Sequence, residues 1–233
     1  MTPIRALASD EGTLLINSGS SAPLILNDGD GFYPQLVTAI FERLNIKART
    51  THIPSARSLI NANQGIDDGV IGRIKGLDKK LTNLIRVPEK ILDLEFTAFS
   101  NDENLKINKW ADLKRYNVAY IRGWKIYDKN VVFYKSLSKV KNTRHLFKLL
   151  KIKRVDVILT QYIPGKYMMR QMDYYPHEVK PSLLSREMFL YMNKKNSRLV
   201  PLISKELQIL KNDGTYRRLY NKYITQVIST AVN

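Results

Sequence analysis

Within its first 72 residues the chain alternates three short apolar runs with two amphipathic ones, and few folds accommodate that order. Leu14-Leu15-Ile16 stops at Asn17-Ser18-Gly19-Ser20 and reads as a buried strand. After the turn-rich Asn27-Asp28-Gly29-Asp30-Gly31, the residues Leu36, Val37, Ile40, Phe41 and Leu44 recur at helical spacing. Residues 46–53 read as a second strand. Pro54-Ser55 opens a second helix with Leu59 and Ile60 on its apolar face, and Asp67-Asp68-Gly69 leads into a third strand at Val70-Ile71. Strand, helix, strand, helix, strand at this spacing predicts an α/β domain with a mostly parallel sheet.

The theme returns further along. Residues 110–113 read as a short helix, 117–121 as a strand, 123–128 as a helix start, 146–150 as a helix and 155–159 as a strand. Residues 187–192 form one more strand. Val200, Ile203, Leu207 and Leu210 then step along a helix that stops at Asn212-Asp213-Gly214, and a last helix carries Tyr216, Leu219, Tyr220 and Tyr223. The 233 residues therefore divide into two α/β lobes, and with no long flexible linker between them ordered strands are expected to join them.

Composition narrows the chemistry. Cysteine is absent, which removes thiol catalysis, disulfides and thiolate metal sites. His52, His145 and His177 are scattered without metal-ligand spacing. There is no Gly-x-Ser-x-Gly elbow, no phosphate-binding loop and no dinucleotide fingerprint, so no cofactor is expected. Adjacent carboxylates such as Asp67 and Asp68 point to opposite faces of a strand and make a poor acid–base pair. No apolar run approaches the length of a membrane-spanning helix. Lys and Arg number 38 against 21 Asp and Glu, a net charge of +17, which favours anionic partners. The densest stretch, residues 135–154, holds eight basic residues and no acid; part of it reads as a helix with Leu146, Phe147, Leu149 and Leu150 inward. No nucleic-acid-binding motif accompanies it, so a nucleic-acid partner is not expected.

In an open α/β sheet, ligands bind beyond the carboxyl ends of the strands. Five loops qualify here, at residues 18–21, 54–57, 72–73, 122–125 and 160–162. From them come the candidate ligand-binding residues Ser21, Ser55, Arg57, Gly72, Arg73, Arg122, Gly123, Trp124, Gln161 and Tyr162. Gly123 lets the backbone approach closely at a helix start, and Arg73 and Arg122 offer bidentate contacts to a carboxylate. Trp124 offers a wall on which to stack.

Several segments then resemble one family. Gly31-Phe32-Tyr33-Pro34-Gln35-Leu36-Val37-Thr38-Ala39-Ile40 resembles a Gly-Phe-led helix start, and Trp110-Ala111-Asp112-Leu113-Lys114 the opening of a second lobe. Arg154-Val155-Asp156-Val157-Ile158 resembles a strand of that lobe, and Leu210-Lys211-Asn212-Asp213-Gly214-Thr215-Tyr216 with Tyr220-Asn221-Lys222-Tyr223 the closing helices. All are similar to segments of the bacterial extracellular solute-binding proteins of the polar-amino-acid family, the binding components of ABC importers. The resemblance implies a type 2 periplasmic-binding-protein fold whose two lobes are joined by two crossover hinge strands, near 94–100 and 189–194. It implies a discontinuous first lobe, 1–97 plus 195–233, and a second lobe, 98–194. It also implies an exported, periplasmic, monomeric protein without catalysis, serving an ABC permease or a membrane sensor. Two other roles occur on this scaffold, a ligand-sensing domain and a cyclohexadienyl dehydratase-like enzyme. Ala6-Leu7-Ala8 has the small-x-small form of a signal-peptidase site but no apolar segment before it, so a complete signal peptide is not expected in this sequence.

The departures from the family pattern bear on the ligand. The family's carboxylate-binding arginine falls at Lys79, with Arg73 a substitute at a different offset; its ammonium-binding aspartate falls at Gln161; its covering aromatic falls near Ser21. A zwitterion needs both a fixed cation and a fixed anion. The pattern therefore points to a small polar or anionic solute other than an ordinary α-amino acid.

Overall fold

A computed structural model describes residues 12–26 and 29–229; Ala6-Leu7-Ala8 and the Asn27-Asp28 part of the first turn lie outside the described residues. The first half runs β1 (Leu14–Ser18), α1 (Phe32–Arg43), β2 (Ala48–His52), α2 (Ser55–Gln64) and β3 (Gly69–Ile74). β1 sits between β2 and β3 and is parallel to both. The helix α1 forms because Leu36, Val37, Ile40 and Phe41 fall on one face, and all four are buried with Phe32 and Tyr33. α2 ends at Gly65, which takes the left-handed conformation (φ 77°) that closes a helix at no Cβ cost.

Two antiparallel strands carry the chain across. β4 (Leu84–Arg86) pairs with the last residues of β9 (His177–Asn193), and β5 (Leu92–Ser100) pairs with the rest of it. The second half repeats the first: β6 (Asn117–Ile121), α3 (Lys125–Asn130), β7 (Ser136–Val140), α4 (Thr143–Lys151), β8 (Val157–Gln161) and α5 (Tyr162–Met172). β6 is parallel to β7 and β8, and β8 meets β5 antiparallel as β3 meets β9. The strand order is β2-β1-β3-β9-β5-β8-β6-β7. Each half is thus three parallel strands plus one antiparallel strand from the crossover pair, and the β5–β9 pairing is the seam between halves. This is the expected α/β architecture of two lobes and two crossover strands.

The chain closes with α6 (Leu199–Asn212), which packs on α1 through Val200, Ile203, Leu207 and Leu210, all buried. Gly214 (φ 82°) turns the chain into α7 (Thr215–Tyr220), where Tyr216 and Tyr220 meet Phe32 edge-on. Beyond them, Arg170 of α5 donates to the Gln226 carbonyl at 2.7 Å, so the C-terminal segment touches both halves. Among the described residues no helix is long and apolar enough to cross a membrane.

Candidate functional site

A cavity of about 110 Å³ lies between the halves. Its walls come from the carboxyl ends of β1, β3 and β8, from the starts of α2 and α3, and from Phe96 and Met188 on the two crossover strands. Parallel strands that run the same way end together, so residues far apart in sequence arrive at one edge.

Arg73 is the charged centre of the first-half wall. A bulge in β3 aims it: the β3–β9 register shifts between Ile71 and Arg73, with Gly72 at φ 76°. A Cβ on Gly72 would stand 2.6 Å from the Tyr33 ring and 2.8 Å from Ser20 Oγ, so only glycine fits. The Arg73 guanidinium donates to Ser55 Oγ at 2.8 Å, to the Ser55 carbonyl at 3.0 Å and to Ser58 Oγ. Its Nε is buried without a partner. Among the described residues no carboxylate pairs with Arg73, and burial pushes its guanidinium down to about 10, with Tyr33 opposing, which leaves it a cation at neutral pH. The buried Asp67 carboxylate accepts from Asn17 Nδ2 at 2.5 Å. Tyr33 stands beneath Gly72 with its hydroxyl buried and unpartnered, and burial raises its pKa.

The second half supplies the opposite wall. Gly123, at φ 83°, turns β6 into α3, and a Cβ there would come within 4.0 Å of Ala56 on α2, a contact across the two halves. Trp124 lines the cavity and stacks on the buried Tyr127 at 5.8 Å between ring centres, so its indole is fixed in place. Gln161, the last residue of β8, is buried, and its Oε1 has no hydrogen-bond partner. The ionisable side chains among the residues lining the cavity are Arg73 and Lys125. An unpaired donor on one wall and an unpaired acceptor on the other, with cations and no carboxylate, suit a small solute carrying an anionic end and a polar end.

Of the ten residues expected from sequence, Ser55, Gly72, Arg73, Gly123, Trp124 and Gln161 line this cavity. Four do not. Ser20 lines the wall beside Ser21, whose carbonyl instead accepts from Leu24 at 3.1 Å in a turn. Arg57 is exposed on α2. Arg122 is exposed too and reaches the Lys139 carbonyl at 3.5 Å. Tyr162 starts α5, where the Lys166 ammonium lies 5.8 Å from its ring centre. Sequence reasoning missed Phe96 and Met188, because the facing of an irregularly paired crossover strand is not written in its pattern; the β5–β9 register shifts beside Phe96.

Residues 131–226 match the model of the bacterial extracellular solute-binding proteins, family 3. That is the family likeness of this chain. It has the fold of the two-lobed periplasmic binding proteins. The substrate-binding protein of an amino acid ABC transporter superposes with a TM-score of 0.76 at 18% identity, covering 92% of this chain and 100% of that one. The GluR0 ligand-binding core in complex with L-glutamate gives a TM-score of 0.79 at 14% identity, over 93% of this chain and 100% of the other. An uncharacterized protein of Shewanella oneidensis is 23% identical over 173 residues, 71% of this chain; the match spans 66% of that relative's length. At such identities the structures speak for the periplasmic-binding-protein fold and leave the ligand to be argued from the cavity.

Proposed function

We propose that this chain is an exported, periplasmic solute-binding protein that captures a small anionic organic solute between its lobes and delivers it to an ABC permease, without catalysis. The lobes would be 1–97 plus 195–233 and 98–194. The observation that carries this reading is the charge of the cavity lining: Arg73, with the exposed Lys125 at its edge, and no carboxylate among the lining residues. A carboxylate on the solute would complete the Arg73 fork, whose Nε is unpaired, and a hydroxyl or amide on its other end would donate to Gln161 Oε1. The Gly123 turn and the Trp124 indole would cover the solute once the lobes close. An α-ammonium would meet neutral Gln161, so amino acids are the weaker cargo. The family likeness and the ABC-transporter neighbour support the transport role. The absence of a carboxyl or imidazole from the residues lining the cavity, where an acid would have to protonate a leaving group, supports binding without turnover.

The test is calorimetric titration of ligand-free protein with small mono- and dicarboxylates, repeated on Arg73→Ala. Loss of a buried charge-assisted fork is expected to weaken binding by about 100-fold or more. Equal affinities in the two proteins would remove Arg73 from the site.

A further inference from the structure

The parallel strands of the second half begin at one end of the molecule and finish at the cavity. Lys135 donates its N–H to the Tyr116 carbonyl at 2.9 Å, Asp156 donates to the Asn117 carbonyl at 2.8 Å, and Ser136 pairs with Asn117 in register. The segments leading into β6, β7 and β8 therefore converge at the end away from Gly123 and Gln161. Strands of five residues separate that end from the cavity by on the order of 15 Å.

What these lead-in segments present is unusual for a solvated surface. Val131 is buried and anchors the loop after α3, but Val132, Phe133 and Tyr134 point out, at 60%, 56% and 43% exposure. Ile152, in the turn between α4 and β8, is 64% exposed. Four of the eight large apolar side chains exposed among the described residues thus belong to this one end. Around them stand the exposed cations Arg115, Lys135, Lys153 and Arg154. The acids within the group are occupied: Asp156 accepts from the Asn117 N–H at 2.7 Å, and Asp112 from the Asn108 and Lys109 N–H groups at 3.0 and 3.1 Å; Asp102, Glu103 and Asp173 lie at the neighbouring corner where β5 ends and α5 stops.

We infer that this end of the second half docks on an anionic lipid surface, Val132, Phe133 and Tyr134 entering the headgroup layer while the surrounding Lys and Arg meet lipid phosphates. Two kinds of exposed group decide the partner. The cations call for an anionic surface, and the protein's +17 charge steers it there. A phosphate backbone alone has no use for exposed Val132 and Ile152, whereas a bilayer interface accepts aliphatic and aromatic side chains flanked by basic ones. Docking by this end leaves the cavity mouth free, so the protein can load and unload while held at a membrane.

The experiment is co-sedimentation of the full chain with phosphatidylcholine vesicles, with or without about one-third phosphatidylglycerol, at about 0.15 M salt. Binding is expected only with phosphatidylglycerol. Phe133→Ser, which leaves charge unchanged, is expected to weaken it about tenfold, and Tyr134→Ser provides a second exposed-site variant should the first fold poorly. Lys153→Glu with Arg154→Glu is expected to weaken it at least about 25-fold, about fivefold for each lost cation before the repulsion of the added carboxylates. The charge-matched control Lys47→Glu with Arg49→Glu, exposed on the first half, is expected to leave most binding intact. The proposal is overturned if the two lipids bind alike, if both serine variants retain full binding, or if the control reversal weakens binding as much. It is likewise overturned if duplex DNA binds as tightly at the same salt and loses affinity in the same variants.

Discussion

Arg73 combines two properties that stability alone would not retain together: it is a cation withdrawn from water, and no carboxylate among the described residues neutralises it. Its three hydrogen bonds go to neutral oxygens of Ser55 and Ser58, which orient the guanidinium without cancelling its charge. That leaves the charge for a ligand. Asp68 shows the contrasting, structural use of a charge in the same half. It accepts from the Leu15 N–H at 2.8 Å, from Asn196 at 2.9 Å and from Lys195 at 3.0 Å, tying β1 to the segment before α6. Burial alone would raise its carboxyl, but these donors outweigh burial and hold it below the ordinary value. In the unfolded chain the same carboxyl takes up a proton first, at about pH 3.9. Its contribution is therefore complete above that pH and is lost as pH falls through the lower folded value. Asp68→Asn is expected to lower the thermal midpoint at pH 7 and to narrow the gap from the parent as pH drops toward 3, a comparison that melting curves across that range provide.

At the scale of elements, the bulge in β3 does the most for the site. Gly72 accepts a positive φ and leaves room for the Tyr33 ring, and the extra residue turns Arg73 toward α2. Gly72→Ala would add left-handed strain and a Cβ pressed on a fully buried ring, an expected loss of about 2 kcal/mol in denaturant unfolding together with weaker ligand binding. The bulge was legible only as a glycine beside an arginine; its geometry depends on pairing with β9, more than a hundred residues away. Regular elements were easier. The periodicity of α1 and α6 and the apolar runs of β1, β3 and β6 carry their own signals. α5 carries a poor one, because Pro164 and Gly165 sit in its first turn. Pro164 fits there, where an N–H needs no helical partner, and Gly165 is required because a Cβ would stand 2.5 Å from the Phe99 ring. β7 and β4 lack a hydrophobic signature; β7 is an edge strand with an exposed Lys139, and β4 has three residues. β9 runs for 17 residues, yet only its apolar last third reads as strand in the sequence, the polar remainder being held by pairing with β5.

At the scale of the whole molecule, the two halves are joined by the β5–β9 seam and face each other across the cavity, with Gly123 approaching Ala56 from the far side. Their likeness was visible in the sequence as a repeated strand–helix alternation. Which loops meet was visible too, since it follows from parallel strands ending at a common edge; six of the ten expected residues line the cavity. The positions of Ser21 and Arg122 were not, because a one-residue difference at a strand end turns a side chain from the cleft to the surface, nor were those of Arg57 and Tyr162, whose facing is set by the rotation of the helices α2 and α5 that carry them. A solute that bridges the halves stabilises both at once. At a hundred times its Kd it adds about 2.7 kcal/mol, a rise of about 5–10 °C for a chain of this size. The most direct test of the account uses matched pairs of small carboxylates that differ only in carrying an α-ammonium or an α-hydroxyl, applied to ligand-stripped protein in a thermal-shift assay. A rise of that size is expected with the hydroxy acids and little with the amino acids. A rise confined to the amino acids would contradict it.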